Sequence, residues 1–354
     1  MKFFGAKKWK CSADVAKTEA KGRTPLLVGH VTGEMKVGMN WSWVSAGFVI
    51  LAWGVTFANT RALLRDFSAL EIQLLRFALA WLALRAGELL PRRGECAADA
   101  FSWRGELLFV GMGLAGVAVY QFLENCAIYY TNASNVAILV SFGPIVTAVL
   151  ARIISGDRSL SARLVAGSLV AICGVALVSL NGVVNFQMRP IGDLMALGAM
   201  ASWGLYSVLV DKANARGVPP LTAIRKAFFW ALVMMAPLAV WGATEQGYYA
   251  LDGSFSVTLD SDINIERFSR PVNWVNIAFL GGVASAACFV LWNGACKALG
   301  VVRTTVGLYL TPIVGVVFAS LFLGERLTAM SAAGGVVIVA GVVVANYGFW
   351  RDGK

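Results

Sequence analysis

Long uncharged runs alternate with short charged segments along most of the chain. A membrane crossing takes about 20 helical residues, and nine uncharged runs approach or exceed that length. They cover Gly38–Thr60, Leu107–Leu123, Asn125–Ala151, Leu164–Met188, Leu194–Val210, Ala227–Thr244, Pro271–Cys296, Thr304–Gly324 and Leu327–Trp350. A tenth run, Ile72–Leu90, is interrupted by Arg76, Arg85 and Glu88. The pattern predicts an all-α integral membrane protein with ten transmembrane helices.

The composition agrees with a membrane protein. Of the 354 residues, 58% are hydrophobic and 14% are charged, whereas soluble domains carry about 25% charged residues. The mean hydropathy is +0.69. The six cysteines are scattered, and the single histidine, His30, lies in the polar N-terminal stretch. We therefore expect no metal site and no cofactor.

The basic residues predict the orientation. With the N-terminus in the cytoplasm, most of the 30 Lys and Arg residues fall in the tail and in the cytoplasmic loops, as the positive-inside rule requires. The net charge of +10 then faces cytosol and lipid headgroups,. We expect a multi-pass protein of the cytoplasmic (inner) membrane with both termini cytoplasmic. The bilayer is its partner, and nucleic acid is not.

The chain repeats itself. Residues 143–162, GPIVTAVLARIISGDRSLSA, match residues 311–330, TPIVGVVFASLFLGERLTAM, in their proline, glycine and arginine positions. Trp53-Gly54 similarly matches Trp203-Gly204. Each copy holds five spans, and an odd number inserts the second copy upside down. Inverted repeats of this kind are typical of transporters that expose a central site alternately to the two sides.

The repeat divides the chain into segments. We predict a basic, disordered cytoplasmic tail over residues 1–40, a first five-helix repeat over 41–182 and a second over 190–350. The extracytoplasmic loop 245–273 interrupts the second repeat and is predicted to fold as a hairpin or as a lid over the external mouth.

Several stretches resemble a known family. AWGVTF (residues 52–57), FLENCAIYYTNASNVAILVSFGPIVTAVLA (122–151) and FVLWNGACKALGVVRTTVGLYLTPIVGVVFASLFLGERLT (289–328) are similar to the two EamA-type domains of the drug/metabolite transporter superfamily. The first copy departs from the family pattern at residues 156–158, where Gly-Asp-Arg replaces Gly-Glu-Arg. The resemblance implies a ten-helix bundle that moves small metabolites, with export as the implied direction, and it names no substrate.

Two charged residues fall inside predicted spans. An intramembrane charge is a functional hypothesis, so Arg76 is predicted either to bind a substrate carboxylate or to pair with Glu71 or Glu124. The alternative is an arginine that reaches the headgroups. Glu124 is predicted to bind a substrate amine or a coupling proton, with a carboxylate wetted at the membrane edge as the alternative.

Aromatic and polar side chains complete the predicted site. Those proposed to line a mid-membrane pocket are Trp53, Phe57, Tyr120, Trp203, Tyr206, Trp292, Asn293 and Tyr309. Asn293 recurs as Asn125 in the first half, so tying neighbouring helices together is its alternative role. Pro144 and Pro312 are predicted to bend their helices, for gating or to shape the cavity.

The functional prediction is a secondary transporter for an amino acid-like or drug-like molecule, acting as a monomer or homodimer. A channel or membrane sensor built on the same bundle is the alternative. A multispan enzyme is disfavoured because the sequence has no HExxH, HxxxD or P-loop motif,.

Overall fold

The computed structural model describes residues 28–63, 65–67, 69–89, 103–130, 133–157, 159–180, 190–242, 266–322 and 328–351. Within these ranges the chain forms helices joined by short turns, and it contains no strand. This agrees with the predicted all-α class.

The described part of the first half contains seven α-helical segments. They are α1 (Val28–Leu63), α2 (Ala69–Leu89), α3 (Trp103–Gly113), α4 (Tyr120–Tyr130), α5 (Ala133–Val140), α6 (Gly143–Ser155) and α7 (Ala162–Leu180). A π-helical segment, Leu114–Val119, joins α3 to α4.

The described part of the second half contains eight α-helical segments. Its segments are α8 (Pro190–Ala215), α9 (Pro220–Gly242), α10 (Glu266–Ser269), α11 (Pro271–Ala278), α12 (Cys288–Leu299), α13 (Val301–Val306), α14 (Thr311–Phe322) and α15 (Ala329–Arg351). A second π-helical segment, Phe279–Ala287, joins α11 to α12, and a 3-10 turn, Gly307–Leu310, joins α13 to α14.

Seven helical stretches in the described part of the chain are long and apolar enough to cross a membrane. They are Gly105–Glu124, Val136–Ser155, Ala162–Leu180, Pro190–Ala215, Pro271–Leu299, Val301–Phe318 and Ala329–Tyr347. A shorter apolar stretch, Trp41–Thr56, lies within α1.

The first helix starts earlier than predicted. Helix α1 begins at Val28, so residues 28–40 of the predicted disordered tail are helical. This stretch contains no proline, and an existing helix extends at little cost once its first turn has formed. Residues 1–27 lie outside the described residues.

Two other boundaries also differ from the prediction. The break expected near residue 124 is absent from the described chain, because α4 runs from Tyr120 to Tyr130. Glu124 is therefore in the body of α4 rather than at the end of its helix. In the predicted loop 245–273, Glu266–Ser269 is helical and Pro271 begins α11, while residues 243–265 lie outside the described residues.

The most extensive helix pair in the described structure is α7 with α15. Glycine lets their backbones approach closely, because a Cβ built on Gly174 would lie 2.6 Å from the backbone nitrogen of Ile338. A Cβ on Gly334 would lie 2.8 Å from the carbonyl oxygen of Gly174. Small residues at such contacts are how membrane helices pack tightly.

Each π-helical segment accepts a hydrogen bond from a helix of the other half. A π-turn disturbs the normal hydrogen-bond ladder of a helix. In the second segment, the carbonyl of Ala284 accepts a hydrogen bond from Trp53 Nε1 at 2.9 Å. In the first, the carbonyl of Ala115 accepts one from Ser202 Oγ at 2.8 Å. Each segment is thereby tied to the first long helix of the opposite half.

Candidate functional site

A cavity of about 390 Å³ lies between helices of both halves. This is within the range of small-molecule sites, roughly 300–1,000 Å³. Eight of the residues predicted for the site line it: Trp53, Arg76, Tyr120, Glu124, Pro144, Trp203, Tyr309 and Pro312. The structure thus brings together side chains that are far apart in the sequence.

Glu124 forms one charged wall of the cavity. The hydroxyl of Tyr120, one helical turn earlier on α4, donates a hydrogen bond of 3.0 Å to Glu124 Oε1. Four-residue spacing puts both side chains on the same helix face. Because α4 continues to Tyr130, the carboxylate faces the cavity rather than a loop.

Arg76 forms a second charged wall. Its Nε donates a hydrogen bond of 3.0 Å to Ser285 Oγ, on the second π-helical segment. The guanidinium carbon also lies 5.2 Å from the ring centroid of Phe77. Among the described residues, no carboxylate lies within 4.0 Å of the Arg76 nitrogens. The predicted pairing with Glu71 does not form, because Glu71 binds Arg267 through two hydrogen bonds of 2.9 and 3.2 Å.

Aromatic rings form the base of the cavity. We call Trp53, Trp203, Tyr206, Phe289 and Trp292 the aromatic cluster. Trp53 is the centre of it, with ring centroids 5.9 Å from Trp203, 5.5 Å from Phe289 and 5.2 Å from Trp292. Tyr206 lies 5.1 Å from Trp203. Stacked and edge-on rings of this kind fill space efficiently and exclude water.

Three predicted site residues do not line the cavity in this structure. Tyr206, Trp292 and Asn293 are buried within the core, and the first two support the cavity from behind as part of the aromatic cluster. The side chain of Phe57 lies outside the described residues. Substrate contact by these residues stays a prediction.

The sequence analysis missed several polar residues of the site. Gln73 and Thr311 line the cavity, and Ser285 holds Arg76. A signal for Gln73 was present, since it lies three residues before Arg76 and shares its helix face. Nothing in the sequence marked Ser285, because its placement depends on the π-helical segment.

Polar contacts tie the elements together at one end of the bundle, which we call the Asp66 end. Asp66 follows α1 and forms an ion pair with Arg270 at 2.9 Å. Asn273 Nδ2 donates to the same carboxylate at 2.8 Å. The Asn273 hydrogen bond, followed by the charge of Arg270, lowers the pKa of Asp66 below its usual value despite some burial of the carboxyl. Cavity residues Thr60, Ile72 and Gln73 are close in sequence to this end.

Ion pairs close the other end, which we call the Glu88 end. Glu88 near the end of α2 binds Arg225 of α9 at 2.7 Å. Lys226 Nζ donates to Glu106 Oε1 at 2.6 Å, and Trp230 Nε1 donates to Glu106 Oε2 at 3.0 Å. Both carboxylate oxygens of Glu106 are therefore engaged by helix α9.

Comparison with known proteins places the same family model on the chain twice. The EamA-like transporter family matches residues 41–180 and again residues 190–347. A solved crystal structure also has this fold, with a TM-score of 0.66 at 18% identity over 88% of this chain and 99% of the other.

Curated relatives are similar over nearly their whole length. A probable terminal-alkyne amino-acid exporter of Streptantibioticus cattleyicolor is 27% identical over 84% of this chain and 90% of its own. A probable amino-acid metabolite efflux pump of Escherichia coli is 26% identical over 87% of this chain and 96% of its own. An uncharacterized transporter of Archaeoglobus fulgidus is 24% identical over 84% of this chain and 94% of its own.

Proposed function

Because the chain belongs to the EamA-like transporter family, we propose that it is a secondary transporter that exports a small organic metabolite by alternating access. The chain is a multi-pass membrane protein, and its family and relatives are transporters rather than enzymes. The proposal adds the mechanism, the direction and the type of cargo.

The observation that carries the proposal is the unequal state of the two ends. The cavity walls reach toward the Asp66 end through Thr60 and Gln73. Toward the Glu88 end, the aromatic cluster and the ion pairs of Glu88 and Glu106 fill the bundle. A cavity that lies toward one end of the bundle, with packed side chains toward the other, is compatible with one state of an alternating-access cycle.

The packing supports ten spans arranged as two inverted repeats. A Cβ on Gly54 would meet Val314, and one on Gly204 would meet Val146, which are matching positions in the repeat. The two π-helical segments and their bonds from α1 and α8 match in the same way. Two halves with equivalent contacts can exchange conformations at little cost in energy, as alternating access needs.

The proposed orientation puts the Glu88 end in the cytoplasm. Basic residues flank the turns at this end, which favours a cytoplasmic location; they are Arg152, Arg163, Lys212, Arg216, Lys297 and Arg303. In this orientation the protein lies in the cytoplasmic membrane with both termini inside, and the cavity faces outward.

The names of two relatives refer to amino acids or their metabolites, which favours an amino acid-like cargo over a drug-like one. Export is proposed because both relatives are named as an exporter or an efflux pump.

Flux across a reconstituted membrane tests the function. Proteoliposomes are loaded with a mixed metabolite pool, and efflux is followed by mass spectrometry with and without a proton gradient. We expect saturable loss of a few compounds, abolished by Glu124→Gln and retained in Trp41→Phe, since Trp41 is 69% exposed. Ion conduction far above carrier rates, with no metabolite movement, would instead establish the channel alternative.

A further inference from the structure

A second recess lies on the outside of the bundle, between Val178 of α7, residues 313–317 of α14 and residues 331–339 of α15. We call it the α14–α15 groove; its volume is about 380 Å³. Nine residues line it, and all are Val, Ile, Ala or Gly except Ser331. Thr328 Oγ1 donates a hydrogen bond of 3.1 Å to the Ser331 hydroxyl. The lining is therefore apolar, and a recess of this kind does not hold water.

The groove lies at membrane depth, in the leaflet at the Asp66 end. All three helices belong to stretches that are long and apolar enough to cross a membrane. Val178 lies near the last residue of α7 and Ser331 near the first residue of α15, which are the ends of these helices away from the Glu88 end. Val336 and Val339 are 71% and 47% exposed. The surroundings that meet these side chains are the hydrocarbon tails of the bilayer.

The shape of the groove is that of an extended chain. Its lining on α15 runs from Ser331 to Val339, which is about 12 Å of helix rise. One leaflet of hydrocarbon is roughly 15 Å thick. At the floor, a Cβ built on Gly335 would lie 3.9 Å from Ile313 Cδ1, so α14 and α15 approach each other there. A third helix, about 10 Å across, would bridge the rim of such a crevice and leave its floor unfilled.

Packing rather than hydrophobicity decides what fills this recess. Lipid tails are as apolar as the lining, so a chain gains no hydrophobic free energy by entering. A void, however, forfeits dispersion contacts on every side. Helices α7 and α15 remove such voids by close approach, with 2.6 Å from a Cβ on Gly174 to the nitrogen of Ile338. The looser contact of α15 with α14 leaves space that only a hydrocarbon chain can fill.

Helix α14 separates the groove from the central cavity. Thr311 and Gly315 line the cavity, while Ile313, Val316 and Val317 line the groove. The wall between the two recesses is therefore one helix thick. An occupant of the groove contacts the side of α14 that faces away from the cavity.

We propose that the α14–α15 groove is a lipid site, in which one acyl chain of a phospholipid lies along the groove and packs against α14. The site is separate from the cavity of the proposed function. Its ligand is a component of the membrane rather than a transported compound, and its role is to support the cavity wall from the bilayer side.

Photolabelling tests the site directly. The protein is reconstituted into vesicles of phosphatidylethanolamine and phosphatidylglycerol that contain a phosphatidylethanolamine with a diazirine on one acyl chain. After irradiation, labelled residues are identified by mass spectrometry. We expect residues of the groove to carry about fivefold or more label than residues 107–114 of α3, a preference that several added packing contacts produce. Leu107 is 67% exposed, so α3 reports contact with ordinary bilayer lipid.

Two glycine variants separate the groove from the rest of the surface. Gly335→Leu adds carbons where the first would be in ordinary contact with Ile313, so its side chain should replace the acyl chain and reduce the groove label to the level of α3. Gly47→Leu on α1, where a Cβ would meet no atom within 4 Å, is the matched control and should keep the wild-type label. Ala332→Leu, at an exposed position of the same groove, repeats the test in a second variant.

Thermal unfolding provides a second readout. A ligand that binds the folded state raises its melting temperature. Phosphatidylethanolamine added to the detergent-solubilised protein should therefore raise the melting temperature of the wild type and of Gly47→Leu more than that of Gly335→Leu. An equal rise in all three proteins would contradict a lipid site in the groove.

The labelling experiment has two results that would overturn the inference. The first is equal label on all bilayer-facing helices of the wild type, or an unchanged groove label in both Gly335→Leu and Ala332→Leu. The second is an unlabelled groove together with cross-linking of Val336→Cys between two copies by a bis-maleimide, which would assign the groove to a second copy of the chain. The labelling requires no cargo, so absence of efflux would contradict the proposed function and leave the lipid site in place.

Discussion

The charged residues at the Glu88 end and those in the cavity differ in their partners. At the Glu88 end, Glu106 accepts from both Lys226 and Trp230, so the carboxylate is fully engaged by protein groups. In the cavity, Arg76 and Glu124 have neutral hydrogen-bond partners. Their charges attract each other only at longer range, since the described residues contain no Arg76–Glu124 ion pair within 4.0 Å. The first arrangement holds helices together, whereas the second leaves binding capacity for a ligand.

Arg76 and Lys226 can be compared closely because they occupy similar positions in their helices. Arg76 lies roughly two turns into α2, and Lys226 lies roughly two turns into α9,. Under the proposed inverted repeat, these helices correspond to each other. What differs is the partner, since Glu106 meets Lys226 while Ser285 meets Arg76. The same position therefore contributes to closure at one end and to the cavity wall at the other.

The largest expected effect comes from removing a cavity charge. Arg76→Gln should lower the rate of efflux by about a hundredfold, because a charge-assisted contact with the cargo is lost. Arg163→Gln, at an exposed position on α7, should transport at close to the wild-type rate. Initial rates in proteoliposomes, with equal amounts of inserted protein, measure both. A wild-type rate in Arg76→Gln would remove Arg76 from the binding site.

Breaking the ion pair between Glu106 and Lys226 at the Glu88 end should mainly affect stability. Glu106→Gln removes the carboxylate that accepts from Lys226 at 2.6 Å, which we expect to cost about 3 kcal/mol of unfolding free energy. The double variant Glu106→Gln/Lys226→Met should recover most of that loss. Thermal unfolding in detergent, followed by tryptophan fluorescence, measures this difference. Equal losses in the single and double variants would show that the ion pair between Glu106 and Lys226 does not stabilise the fold.

The bonds to the π-helical segments provide a matched pair of smaller changes. Trp53→Phe keeps an aromatic ring and removes the donor to Ala284, while Ser202→Ala removes the donor to Ala115. Each loss should cost about 1 kcal/mol of unfolding free energy. The two variants should therefore lower the melting temperature by similar amounts. Trp53→Phe should in addition reduce efflux, because Trp53 lines the cavity. Melting temperatures that differ widely would argue against equivalent roles in the two halves.

The smallest effect concerns pH at the Asp66 end. The Asn273 hydrogen bond and Arg270 lower the pKa of Asp66, so the folded state binds this proton less readily than the unfolded state. The resulting stability is complete above the ordinary aspartate pKa, near 4, and is lost as the pH falls below it. Melting temperatures of wild type and Asp66→Asn should therefore differ at pH 7 and converge toward pH 3. A gap that widens on acidification would contradict this sign.

The sequence predicted much of the cavity, and for a physical reason. Arg76, Glu124 and the paired prolines stand out because charges and prolines are rare in membrane spans. Trp292 and Asn293 looked equally suitable, but burial behind the cavity depends on helix rotation, which a nearly uniform apolar segment does not reveal. The ion pair of Glu106 with Lys226 was not predicted for a related reason. Both residues lie near span ends, where they resemble ordinary flanking charges.

The π-helical segments could not be predicted at all. Leu114–Val119 and Phe279–Ala287 are as apolar as the helices around them, and a π-turn has no strong sequence signature of its own. Yet Ser285 reaches Arg76, and Ala284 reaches Trp53, only through the second of these segments. The repeat in the sequence indicated that the two halves correspond, while the structure supplies the contacts through which they meet.

Side-specific cysteine labelling tests most directly the central proposal that the cavity is accessible from the Asp66 end and not from the Glu88 end. In a cysteine-free background, Thr60→Cys lies on the cavity wall, and Ala223→Cys is a matched site near Lys226 that is 1% exposed. An impermeant maleimide applied to whole cells should label Thr60→Cys, and applied to inside-out vesicles it should leave Ala223→Cys unlabelled until cargo is added. Labelling of Thr60→Cys from the cytoplasmic side alone would contradict the account.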